Sequence, residues 1–131
     1  MKLILAPLAG FTSAPFRKLC AAHGADLTYT EMVSAAGLAH GSSPTRHLME
    51  VLPGEGPVAC QIFGSKPEEL ALATAEASKL DRFTEINLNA GCPMPKIVHE
   101  GAGAALIRDP QQVYDCLAAI RRETSLPVTL K

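Results

Sequence analysis

Short apolar runs alternate with amphipathic stretches along this sequence, and that alternation leaves the chain very few architectures. Val58-Ala59-Cys60-Gln61-Ile62-Phe63 reads as a strand. Pro67 then opens a helix whose apolar positions Leu70, Ala73, Ala77 and Leu80 recur at spacing three and four. Glu85-Ile86-Asn87-Leu88-Asn89 is another strand, and Asp109-Pro110 opens a helix with Val113, Leu117 and Ile120 on one face, ending near Thr124. Pro127-Val128-Thr129-Leu130-Lys131 is a last strand. Upstream the signals are shorter. Leu3-Ile4-Leu5-Ala6 is apolar at every position, as expected of a strand buried on both faces. Ser13 caps a helix through Ala22, Leu27 to Thr30 is rich in β-formers, and Ser34 to His40 is a short helix closed by Gly41. Residues 42–56 carry Pro44, Pro53, Gly54 and Gly56 and read mostly as loop.

Strand, helix and strand joined by crossovers of this length are parallel βα units. Right-handed crossovers leave an open doubly wound sheet or a (β/α) barrel. A doubly wound nucleotide fold usually carries GxGxxG after its first strand, and Pro7-Leu8-Ala9-Gly10 does not supply it. A complete barrel has eight units in typically about 250 residues. The 131 residues here hold about half of that. The expectation is an α/β fold, the N-terminal half of a (β/α)8 TIM barrel with five parallel strands, residues 1–131 forming one incomplete domain.

Composition narrows the function. With 47% hydrophobic and 19% charged residues the chain has the mix of an ordered globular domain rather than a disordered tail. Its net charge of -1 offers no global positive field, so any nucleic acid must meet a local patch. No apolar run approaches the roughly 18 residues of a membrane span, and Pro7 cuts Met1 to Ala6 too early for a signal peptide. A soluble, cytoplasmic protein without a membrane partner is expected. Cys20, Cys60, Cys92 and Cys116 form no CxxC and no Cys–His pair at zinc spacing, so no metal is expected and reduced thiols are.

In parallel α/β proteins ligands sit at the carboxyl ends of the strands. Those ends read Pro7-Leu8-Ala9-Gly10, Glu31, Gln61, Asn87 with Asn89 and Cys92, and Lys131. An amide, two asparagines, a thiol and an ammonium on one rim suit a planar polar ligand. The plain alternative is that such residues cap backbone groups, the commoner case for Glu31. Cys92 lies in Asn89-Ala90-Gly91-Cys92-Pro93, a segment that is neither helix nor strand and where packing seldom demands sulfur. A thiol is mostly protonated at neutral pH, which suits a general acid better than a nucleophile. Gly101-Ala102-Gly103-Ala104-Ala105 reads as a closely packed small-residue turn more readily than as a phosphate loop. Lys96, His99 and Arg108 form a loose basic cluster that could meet phosphates, although a solvated surface is the commoner fate.

Several segments together are specific. Leu5-Ala6-Pro7-Leu8-Ala9-Gly10-Phe11-Thr12, Pro15-Phe16-Arg17, Tyr29-Thr30-Glu31-Met32, Gln61-Ile62-Phe63-Gly64 and above all Asn87-Leu88-Asn89-Ala90-Gly91-Cys92-Pro93 resemble the tRNA-dihydrouridine synthase family. Lys96 with Gly101 to Leu106, and Pro127 to Lys131, continue the match across the chain. The resemblance implies an FMN-dependent TIM-barrel oxidoreductase that uses NADPH to reduce uridines of tRNA. It implies that hydride reaches C6 of the uracil and that Cys92 protonates C5. It also implies that the backbone of Pro7, Leu8 and Ala9 packs on the isoalloxazine ring and that Gln61 and Lys131 bind its pyrimidine edge. Asn89 and Lys96 fall on the substrate side. Leu8 stands where the family often has Met, and Ser13 and Asn87 where it often has Asp. The family is longer, with its flavin-phosphate site in later strands and a C-terminal helical domain, so a truncated chain that holds FMN weakly or not at all is expected. Two other enzymes fit the residues less fully: an FMN barrel acting on a small pyrimidine-like substrate, and an aldolase-type barrel with Lys131 as a Schiff base. A non-catalytic half-barrel fragment is the alternative outside enzymology.

Overall fold

The computed structural model describes residues 1–131. Its strands are β1 (Ile4–Leu5), β2 (Leu27–Tyr29), β3 (Val33–Ser34), β4 (Val58–Phe63), β5 (Glu85–Leu88) and β6 (Val128–Leu130), all in one sheet. The helices are α1 (Ala14–Ala22), α2 (Ala35–Ala39), α3 (Ser43–His47), α4 (Pro67–Lys79), α5 (Pro95–His99) and α6 (Pro110–Arg122), with a 3-10 helix at Gly103–Arg108. Every strand pair is parallel.

The order β1-β2-β4-β5-β6 follows the chain without reversal. A doubly wound sheet must reverse its order to place helices on both faces. With right-handed crossovers, a monotonic order keeps the helices on one face. The topology is therefore that of half a TIM barrel, as the alternation predicts.

The helix-facing core follows from strand alternation and helix stripes. Val58, Cys60, Ile62, Ile86 and Leu88 pack with Leu70, Ala73 and Ala77 of α4 and with Cys116 and Ile120 of α6, all buried. Pro67 and the first-turn acids Glu68 and Glu69 start α4, while Asp109 caps α6 by accepting from the Gln111 and Gln112 N–H groups.

Two expectations need correction and a third a refinement. The sheet has six strands rather than five, because β3 resumes the line of β2 after a bulge. Tyr29 pairs with Ala59 but Val33 with Ile62, so the β2–β3 line carries one extra residue. Residues 42–56 are mostly loop, as read, but contain α3: Ser42 caps it by accepting from the Thr45 N–H, and Pro44 fits its first turn. The first strand is not buried on both faces. Ile4 is 50% exposed, because β1 ends the sheet and its inward side meets no opposing layer.

Candidate functional site

The face of the sheet turned away from the helices carries polar side chains in place of a second apolar core. The alternation Glu85-Ile86-Asn87-Leu88-Asn89 sends Ile86 and Leu88 to the helices and leaves the other three inward. Register sets Gln61 beside Asn87 and Asn87 beside Thr129. These residues bond directly: Gln61 Nε2 donates to Asn87 Oδ1 at 2.6 Å, and Asn87 Nδ2 to Thr129 Oγ1 at 2.6 Å. The Thr129 hydroxyl donates to Glu85 Oε1 at 2.5 Å, and the Tyr29 hydroxyl reaches the same oxygen at 2.8 Å. Burial first, and then the Glu85 carboxylate, push the Tyr29 phenol up to about 12, so it remains a donor.

The bulge serves this face. Where the ladder slips, the Thr30 hydroxyl accepts the Gln61 backbone N–H at 3.0 Å, replacing a strand carbonyl. Gln61 is fully buried, and Asn89 is 4% exposed. Asn89 Nδ2 donates to Gln61 Oε1 at 3.0 Å and meets Met32 Sδ at 3.1 Å. Its Oδ1 accepts the backbone N–H groups of Gly91 at 3.2 Å and Cys92 at 3.0 Å. Two donors and two lone pairs are thus all engaged. The thioether is a weak acceptor, so the N–H facing Met32 is the one Asn89 can most cheaply release to a ligand.

Cys92 is held by its backbone and left half-exposed at its side chain. Asn89 takes its N–H, and the Ala104 N–H donates to its carbonyl at 2.9 Å. Gly103 lies against the same carbonyl at φ 58°, where an added Cβ would come within 2.6 Å of it and 2.9 Å of Ile97. The small-residue segment is therefore the packing turn that sequence favours over a phosphate loop, and what it packs on is Cys92. Cys60 and Cys116 differ: both are buried, and burial pushes their thiols up to about 12 and about 11.

The other expected residues ring this point unevenly. The Lys131 N–H donates to the Leu88 carbonyl and its carbonyl accepts from Ala90, so β6 continues to put Lys131 beside Asn89, with its side chain exposed. Pro7 is half-buried and Leu8 and Ala9 are exposed in the loop after β1. That loop is tied by the Thr12 hydroxyl, which accepts from the Leu8 N–H and donates to its carbonyl, each at 3.1 Å. Glu31 accepts from the Gly10 N–H, the capping role expected of it. Beneath the loop, buried Arg17 bonds the Thr12 carbonyl at 2.6 Å, the Glu50 carbonyl at 2.6 Å and the Glu55 carboxylate at 2.5 Å. Lys96 on α5, His99 and Arg108 are exposed. Sequence reasoning gave no role to Tyr29, Met32, Glu85 or Thr129. The polar-apolar alternation of β5 was the signal that could have found Glu85.

Comparison with known proteins bears on the same segments. The family model described as dihydrouridine synthase (Dus) matches residues 4–131. A probable tRNA-dihydrouridine synthase of Helicobacter pylori strain J99 is 37% identical over 127 residues, which are 97% of this chain and 39% of that protein. The tRNA-dihydrouridine synthase B of Xanthomonas campestris pv. campestris is 39% identical over 99% of this chain and 39% of its own length. That of Klebsiella pneumoniae is 40% identical over 99% and 40%. The chain spans about two fifths of the length of these relatives.

Proposed function

The chain belongs to the dihydrouridine synthase family, and from that premise we propose that it is the part of a tRNA-dihydrouridine synthase that carries the proton donor and one side of a flavin-ring site. Reduction of the C5–C6 double bond of uridine in tRNA is the reaction. The observation that carries this reading is the Cys92 loop, fixed through both its N–H and its carbonyl at the carboxyl end of β5, with the thiol side left half-exposed.

The donor set fits the ring of FMN. Gln61 is fully buried, and beyond its bonds to Asn87 and Asn89 it keeps one N–H and one carbonyl lone pair, which meet the ring once the side chains covering them make way. Lys131, paired beside Asn89 with its side chain exposed, adds an ammonium to the rim, and Glu31 accepts the Gly10 N–H next to the Pro7–Ala9 loop. Amide donors and an ammonium suit a carbonyl-bearing ring edge that gains negative charge on reduction. FMN reduced by NADPH supplies the hydride for C6 when bound.

The residues of this chain do the rest. The backbone of Pro7, Leu8 and Ala9, tied by Thr12, gives the ring a wall. Cys92 holds a proton on Sγ and delivers it to C5 as charge develops on the uracil. Asn89 fixes the cysteine loop and turns its releasable N–H to the base. Lys96 meets backbone phosphate from α5. The base must leave its stack to reach this rim.

The test is product formation by the protein that carries this chain, on unmodified tRNA against free uracil and dihydroorotate, with dihydrouridine scored by mass. Dihydrouridine in tRNA supports the reading. Turnover of a free pyrimidine alone would transfer the site to a small-substrate FMN oxidoreductase, and a borohydride-trapped adduct on Lys131 to an aldolase.

A further inference from the structure

The inward side chains form one continuous line of hydrogen bonds, and every bond in it points the same way. The N–H groups of Gly91 and Cys92 donate to Asn89, Asn89 to Gln61, Gln61 to Asn87, Asn87 to Thr129, and Thr129 to Glu85. A primary amide looks nearly the same when its oxygen and nitrogen are exchanged, so a line of three amides has two polarities of almost equal shape. Only its ends can choose between them. A backbone N–H only donates, which requires Asn89 to present Oδ1 to Cys92. A carboxylate only accepts, which requires Thr129 to spend its single proton on Glu85 and to accept from Asn87. The two ends are separated by most of the length of β5 and dictate the same direction.

We propose that Glu85, at the end of β5 remote from Cys92, is a positioning residue that fixes which way round the Asn87, Gln61 and Asn89 amides sit, and hence that Asn89 turns its carbonyl to the Cys92 loop. The proposal rests on reading the rim at the strand ends as the ligand site. Thr129 is the joint through which Glu85 acts, and Tyr29 holds the carboxylate from the other side. The amide part of the line is costly to break, because its freed groups have no water to turn to, whereas Glu85 and Thr129 at the far end are half-buried. Asn87, Gln61 and Asn89 are each at most 4% exposed.

The experiment follows the side-chain amide protons of Gln61, Asn87 and Asn89 in the 15N-labelled full chain. Thr129→Val keeps the shape of the joint and removes its hydroxyl. Solvent exchange of the Gln61 and Asn89 side-chain amides should then rise roughly five- to tenfold, the scale of one lost hydrogen bond. Backbone protection in β4 to β6 should stay near wild type. Thr129→Ser, which restores the hydroxyl, should return the amides to their original rates. A wild-type exchange rate in Thr129→Val overturns the proposal. Should Thr129→Val fail to fold, Glu85→Gln decides: its amide both donates and accepts, so a second set of Gln61 amide signals is expected, and a single unchanged set overturns the proposal. If the amides respond as expected while the protein reduces no uridine in tRNA, the line of bonds stands and the functional reading falls.

Discussion

On the helix side of β4 and β5, Val58, Cys60, Ile62, Ile86 and Leu88 are buried among the apolar faces of α4 and α6. On the other side of the same strands, Gln61 and Asn87 are buried just as well and Glu85 is half-buried, but all three are bonded to named partners at fixed distances. Apolar burial is non-directional, so the first set needs volume and little else. Each polar group of the second set needs one particular neighbour, because a buried donor or acceptor left unpaired costs more than the pair contributes. Stability is concentrated on the outer face and orientation on the inner one. Substitutions on the outer face should move folding, and substitutions on the inner face should move chemistry.

The sharpest separation is expected at Cys92. In the protein that carries this chain, Cys92→Ala should keep flavin binding and flavin reduction by NADPH while uridine reduction falls by about 10²–10⁴-fold, the usual contribution of a general acid. Its unfolding midpoint should hardly change, since the side chain is half-exposed. Single-turnover assays on unmodified tRNA read the first effect and urea titration the second. Wild-type turnover in Cys92→Ala would remove the cysteine from its role. On the opposite face, Ile62→Ala should cost about 2–5 kcal/mol through lost burial and the cavity left behind. A small shift in the urea midpoint there would break the comparison.

Gly103 joins the two faces of the argument, being a packing residue whose neighbour is chemical. Gly103→Ala places a Cβ in the left-handed region at φ 58° and within 2.6 Å of the Cys92 carbonyl. The backbone conformation alone costs about 1–2 kcal/mol, and the loop must shift to admit the methyl group. Lower stability together with an altered rate of Cys92 alkylation is expected. Lower stability with an unaltered alkylation rate would mean that the turn supports the fold without fixing the thiol.

Sequence reading did well where one strong signal ruled. β4 spans Val58–Phe63 as read, α4 begins at Pro67, and α6 begins at Pro110 behind its Asp109 cap. It fell short where two signals competed. Pro44 suggests loop, yet Ser42 and Pro44 are also a capped helix start, and α3 forms. β3 is two residues long and follows a bulge, so no periodicity could announce it. At the site, Cys92, Gln61, Asn89 and Lys131 were legible as polar residues at strand ends. The partners that orient them were not. Glu85 bonds Thr129, 44 positions away, and Arg17 bonds Glu55, 38 away, and only the folded register brings such pairs together.

The smallest expected effect tests the outer face at high pH. Cys60 is fully buried, and burial pushes its thiol up to about 12, with the Thr30 hydrogen bond and Arg17 opposing the shift only weakly. A group whose folded pKa is raised binds its proton more tightly in the folded state. The stability it contributes is complete below the unfolded thiol value and is lost as pH climbs from there toward about 12. Between pH 8 and pH 10 the loss from this one group should be on the order of 1–2 kcal/mol, because the unfolded thiol ionises near pH 9 while the buried one does not. Tyr29 and Cys116 add to the same decline, so the measurement is the difference between wild type and Cys60→Ala. The variant should start lower at pH 7, having lost a buried sulfur, and then fall less steeply as pH rises. Parallel stability curves for the two proteins would show that the thiol ionises in place, and that the outer face at Cys60 is open to solvent in a way its burial denies.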